Sequence, residues 1–108
     1  MTTVTVYRDK SEKYIGFEVR GHAEYCKKGP DIVCAAISML VTNTINSIES
    51  LTGDAFSYEE NEADGYMKLM LCEGSGSDSQ LLIRSMMLGL SQLSKNYKKN
   101  VTMKTEEV

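Results

Sequence analysis

The chain is short of most things that would send a protein out of the cell or cross-link it. No apolar run approaches the roughly 18 residues that cross a bilayer. The opening stretch MTTVTVYRDK lacks the apolar centre of a secretory signal. A cytoplasmic protein with no membrane contact is therefore expected. The three cysteines, Cys26, Cys34 and Cys72, are odd in number and irregular in spacing, which excludes a disulfide framework and fits thiols kept reduced. No CxxC pair occurs, so neither a structural zinc site nor a thioredoxin-type motif is expected. No internal repeat, linker or low-complexity tract interrupts the 108 residues, which are expected to form one domain over 1–108. There is no excess of basic charge either. A net charge of −3 and a pI near 5.1 give no general attraction to nucleic acid or anionic lipid. Lys95, Lys98, Lys99 and Lys104 cluster locally and read as a solvated surface near a helix end.

What is present is enough for a core. Apolar residues make up 42% of the chain against 25% charged, and only one proline breaks it, so disorder is excluded by composition. TTVTVYR alternates Val4 and Val6 against polar neighbours and reads as a strand; YIGFEVRG puts Ile15, Phe17 and Val19 on one face and reads as its hairpin partner. DIVCAAISMLVTNTINSIESL is too long for a strand. Asp31 stands where an N-cap belongs, Pro30 just before the helix and Gly53 just after its end. AFSYEEN and DGYMKLMLCE make a second hairpin, with Met67, Leu69 and Leu71 facing inward and Cys72 in the core. Ser77 and Gln80 form a capping-box pattern ahead of a second helix, and NVTMKTEEV is a short last strand with a loose acidic end. The order is ββαββαβ: an α+β two-layer sandwich, with an antiparallel or mixed five-stranded sheet carrying two helices.

The first helix is apolar nearly all round. Ile32, Val33, Ala35, Ala36, Ile37, Met39, Leu40, Val41, Ile45 and Ile48 exceed a single stripe about 100° wide. A sheet covers only one side, so a homodimer through this helix is expected.

The segment RGHAEYCKKGPDIVCAAISML holds the only histidine, the only proline and two of the three cysteines. The second strand ends at Gly21 and the helix that follows must run back across the sheet, so His22 and the first-turn Cys34 come to one sheet edge. A helix start favours a thiolate, an imidazole can take the thiol proton, and free N–H groups there can donate to an oxyanion. Each residue also has a plainer reading. A cysteine within IVCAAIS is commonly a small buried hydrophobe, and a histidine after a strand can be simply a satisfied polar group. Asp31 is a helix cap, or an orienting carboxylate if free of that duty. Ser38, one turn on, bonds either the sulfur or its own turn's carbonyl. Gly21 and Gly29 read as tight-turn or hinge residues of a mobile loop. His22, Cys26 and Cys34 lack a fourth ligand and match no common zinc spacing; no metal and no cofactor are expected. Cys26 is then a spectator thiol or a regulatory disulfide partner for Cys34.

At these residues the chain resembles the ribosomal-processing cysteine protease (Prp) family. GHA, a glycine-containing loop and DIVCAAIS match that family's pattern at Gly21, His22, Gly29, Asp31, Cys34, Ala35 and Ser38. The likeness also extends to length and element order. It implies a dimeric α+β sandwich and a Cys–His endopeptidase that removes an N-terminal extension from a large-subunit ribosomal protein precursor, cutting after an aromatic pair. Cys34 would be the nucleophile and His22 the base, with Asp31 and Ser38 in supporting roles and the loop from Ala23 to Pro30 covering the cleft. The residues themselves leave two other readings open: a non-enzymatic ribosome-associated binding module or assembly factor, and a redox sensor using Cys26 and Cys34.

Overall fold

The computed structural model describes residues 1–24 and 31–108. Cys26, Gly29 and Pro30, and with them the readings of a spectator or regulatory thiol, a hinge and a covering loop, lie outside the described residues. Five strands and two helices follow in the expected order: β1 (Thr2–Arg8), β2 (Tyr14–Arg20), α1 (Ile32–Leu51), β3 (Phe56–Asn61), β4 (Tyr66–Leu71), α2 (Ser77–Asn96) and β5 (Val101–Glu107).

The sheet runs β3-β4-β2-β1-β5. Its first four strands pair antiparallel, whereas β5 lies parallel to β1 from Thr2↔Val101 to Arg8↔Glu107. The sheet is therefore mixed. A parallel partner needs a long crossover, which α1, the β3–β4 hairpin and α2 together provide. The acidic end is not loose: Glu106 and Glu107 are paired with Tyr7 and Arg8, and the Val108 N–H closes on the Arg8 carbonyl. Backbone pairing overrides the low strand preference of two adjacent glutamates.

Alternation along the strands sends Val4, Val6, Phe17, Val19, Leu69 and Val101 into the core, where they meet Val33, Ile37, Val41, Ile48, Ile83 and Leu90 of the helices. Burying each such side chain contributes about 1.5–3 kcal/mol. Met67 and Leu71 pack against this core as expected, but Cys72 is exposed. It sits one residue past β4, where the inward alternation has ended. By length and composition α1 is apolar enough to cross a membrane, contrary to the reading of runs alone. Its stripe Val33, Ile37, Val41, Ile45 and Ile48 is nonetheless buried against the sheet layer.

The start of α2 departs from the capping-box reading. Gly76 is the N-cap and no side chain of the helix caps it. Asp54, 22 residues upstream, accepts the Gly76 N–H on both carboxylate oxygens at 3.1 Å and also takes the Ser79 hydroxyl. Gln80 turns instead to β2, accepting the Tyr14 N–H at 2.7 Å and donating to the Tyr14 carbonyl at 2.6 Å.

Candidate active site

At α1 the expected cap forms. Asp31 is extended and its Oδ1 accepts the N–H groups of Val33 and Cys34, each at 3.0 Å, while its carbonyl takes the Ala35 N–H. The cap therefore occupies N–H groups that the residues alone left available for an oxyanion. Asp31 spends its Oδ1 on the helix start, which answers what holds α1 there.

Cys34, in the first turn, is half-buried and its thiol is free. Its Sγ accepts a hydrogen bond from the Ala23 N–H at 3.2 Å. That donor is firmly seated. The Ala23 methyl is buried, and the Ala23 carbonyl accepts from Asn100 Nδ2 at 2.9 Å. Positive φ at Gly21 (92°), before Ala23, and at Glu24 (56°), after it, bends the chain on either side. At Gly21 a side chain would also strike the Met1 carbonyl, 2.5 Å from an added Cβ. Gly21 thus serves as a tight turn, packed on the start of β1.

His22 follows directly and is exposed. Its Nε2 lies 3.2 Å from the Ala63 carbonyl in the β3–β4 turn. A carbonyl only accepts, so this contact is a hydrogen bond in the tautomer that carries its proton on Nε2, which leaves the Nδ1 lone pair available in the neutral ring. The turn approaches closely because residue 65 is glycine: at φ 60°, an added Cβ would stand 2.5 Å from the Gly21 carbonyl oxygen and 3.1 Å from His22 Cε1.

His22 and Cys34 line one open cleft of about 310 Å³. Val19, Ile37 and Met67 supply apolar wall, and Glu60 and Glu62 acidic rim. Tyr58 donates to Glu60 Oε2 at 3.1 Å; burial, then this bond and the carboxylate charge, push the phenol up to about 12. Tyr66, also on the cleft, carries the Arg20 guanidinium over its ring at 4.8 Å. Ser38 reaches the cleft from the next helical turn; its exposed hydroxyl is held by neither the sulfur nor a helix carbonyl among the described residues. No cluster of three metal-ligating side chains occurs among the described residues.

Cys34 and His22, expected at one sheet edge, meet instead at the end of the central strand β2, on one cleft with Gly21 and Ser38, while Asp31 caps the helix start beside them. Sequence reasoning missed Ala23, Asn100, Ala63 and Gly65. Only Ala23, next to the histidine, left a local trace; the other three arrive through the last turn before β5 and through the β3–β4 hairpin.

Comparison with known proteins points to one family. The family model described as cysteine protease Prp matches residues 1–102. The chain is 28% identical to the ribosomal processing cysteine protease Prp of Bacillus subtilis over 109 residues, covering 97% of each. It is 24% identical to the protein of the same name from Staphylococcus aureus over 103 residues, covering 95% of this chain and 97% of that one. Among solved structures, the S. aureus ribosomal processing protease Prp with a covalently linked product peptide superposes with a TM-score of 0.92 at 24% identity, over 98% of this chain and 100% of that one. SMU.848 from Streptococcus mutans superposes with a TM-score of 0.87 at 35% identity, over 100% and 96%.

Proposed function

The chain belongs to the Prp family of cysteine proteases, and from that premise we propose that it is an endopeptidase which removes the N-terminal extension of a large-subunit ribosomal protein precursor, cutting after an aromatic motif. The observation that carries the reading is the meeting of Cys34 and His22 in one cleft, with the Ala23 N–H directed at the sulfur. Relatives named for ribosomal processing supply the substrate class.

In this reading His22 accepts the thiol proton at Nδ1, and Cys34 Sγ attacks the scissile carbonyl, forming the C–S bond. Collapse of the tetrahedral oxyanion breaks the C–N bond, and the imidazolium returns its proton to the leaving amine. Water then hydrolyses the thioester, His22 taking its proton and giving it back to the sulfur. The Ala23 N–H stabilises negative charge on the sulfur. Asp31 keeps Cys34 at the helix start, and Ser38 acts as a supporting polar group on the cleft wall. The apolar wall of Val19, Ile37 and Met67 suits an aromatic side chain.

The same reading assigns the protein to the cytoplasm, where a thiol nucleophile stays reduced. It also assigns a homodimer. Ile32 and Met39 on α1, and Leu81 and Leu88 on α2, are each seven residues apart and all exposed, a pattern that a second copy covers.

The test is incubation with a synthetic peptide spanning the aromatic N-terminal extension, followed by mass spectrometry. One cut that disappears in Cys34→Ala supports the protease. Peptide that binds and stays whole in both proteins would return the cleft to a binding role.

A further inference from the structure

We infer that the β3–β4 turn is the orienting element of the histidine: the Ala63 carbonyl takes the place of a side-chain third member, with Gly65 and Asn61 as positioning residues. This rests on His22 acting as the base for Cys34.

A catalytic imidazole needs a partner for the nitrogen that does not face the nucleophile, to hold the tautomer and ring angle and to stabilise the imidazolium when it forms. Asp31 is the nearby carboxylate that sequence spacing offers, and its Oδ1 is engaged with two N–H groups of α1. The ring is instead held by the β3–β4 turn, through the Ala63 carbonyl at 3.2 Å from Nε2.

That carbonyl is itself locked in place. The Ala63 N–H donates to Asn61 Oδ1 at 3.1 Å, Asn61 Nδ2 donates to Asp64 Oδ2 at 3.0 Å, and the Gly65 N–H closes the turn on the Glu62 carbonyl at 3.1 Å. Gly65 then does two things no other residue can do here. It adopts φ 60° without penalty, and it leaves room for the Gly21 carbonyl and His22 Cε1. Any Cβ at residue 65 pushes the turn, and with it the Ala63 carbonyl, away from the ring. Misplacement of an orienting group by about 1 Å costs about 10²-fold in rate.

The experiment uses the full chain, the aromatic-extension peptide and three variants. Gly65→Ala is expected to lower kcat about 10²-fold with little change in KM. Asn61→Ala is expected to lower kcat by a smaller factor. Asn61→Asp with Asp64→Asn exchanges donor and acceptor while keeping both bonds, and is expected to restore kcat. The chain has a single histidine, so its imidazole nitrogen spectrum contains one pair of signals. The parent should show its proton on Nε2, and Gly65→Ala should redistribute that proton between Nε2 and Nδ1. A proton on Nδ1 in the parent, or an unchanged kcat in Gly65→Ala, overturns the inference. If Gly65→Ala fails to fold, the other two variants decide: an unchanged kcat in Asn61→Ala, or no recovery in the exchanged pair, overturns it equally. His22→Ala separates the two levels. Full cleavage by that variant removes the histidine from the chemistry and overturns the protease mechanism itself, whatever Gly65→Ala does.

Discussion

The two helices begin in comparable ways and end up with opposite uses. Each is 20 residues long and each has its start satisfied by an aspartate. At α1 the aspartate is local, and its single oxygen holds two N–H groups while the first-turn cysteine faces a cleft. At α2 the aspartate comes from 22 residues away and draws Gly76 and Ser79 together, while Gln80 ties the same turn to Tyr14. Lys13 adds a further tie, its Nζ donating to the Ser75 carbonyl at 2.6 Å. The second junction is laced shut. A helix start is therefore not a site by virtue of its dipole; it becomes one where the neighbouring elements leave a cleft and aim groups into it.

The two free cysteines among the described residues sharpen the contrast. Cys34 is the less exposed of the pair, yet it alone lines the cleft and receives a directed N–H. Replacing Cys34 with Ala should remove cleavage by about 10⁴-fold or more, whereas Cys72→Ala should leave the rate unchanged; equal losses from both would end the distinction between the two junctions. His22→Ala is the next largest effect, a fall in kcat/KM of about 10²–10⁴-fold without loss of melting temperature.

The caps test whether stability and chemistry separate. Asp54→Ala strands the Gly76 N–H and the Ser79 hydroxyl, and should cost about 2 kcal/mol, roughly 10 °C in Tm, with the cleavage rate intact below the transition. Asp31→Ala should cost only about 1 kcal/mol but lower kcat about tenfold, because the same oxygen positions the Cys34 backbone. A rate loss at Asp54 equal to that at Asp31 would show the α2 junction to be coupled to the cleft. The smallest effect is on assembly. Met39→Lys should shift the mass measured by light scattering from dimer to monomer, with the thermal transition moved by little; a parent that is already monomeric would dismiss the dimer.

These contrasts also mark what the amino-acid order can reveal. Asp31 as a cap, the alternation of Val4, Val6, Phe17 and Val19, and the strand-end histidine twelve residues before a helix-start cysteine are local patterns, and they were readable as such. The Ser77–Gln80 pattern was equally local and misleading, because Asp54 and Tyr14 compete for the same groups from a distance. The direction of β5 left no mark, since alternation is the same for parallel and antiparallel neighbours. Ala63, Gly65 and Asn100 were beyond reach for a related reason: nothing at those positions announces a partner some 40 or 77 residues away.

The parallel pairing of β1 with β5 has a consequence for synthesis. The strand made first acquires its outer neighbour only from the strand made last, and Asn100, which seats Ala23 against the sulfur, lies in the turn just before it. A growing chain on the ribosome therefore carries Cys34 and His22 long before it carries the groups that complete their surroundings. Contacts of such sequence separation form late and slowly. The hydrogen bond that seats Ala23 beside the sulfur thus forms only after the chain has been extended as far as Asn100.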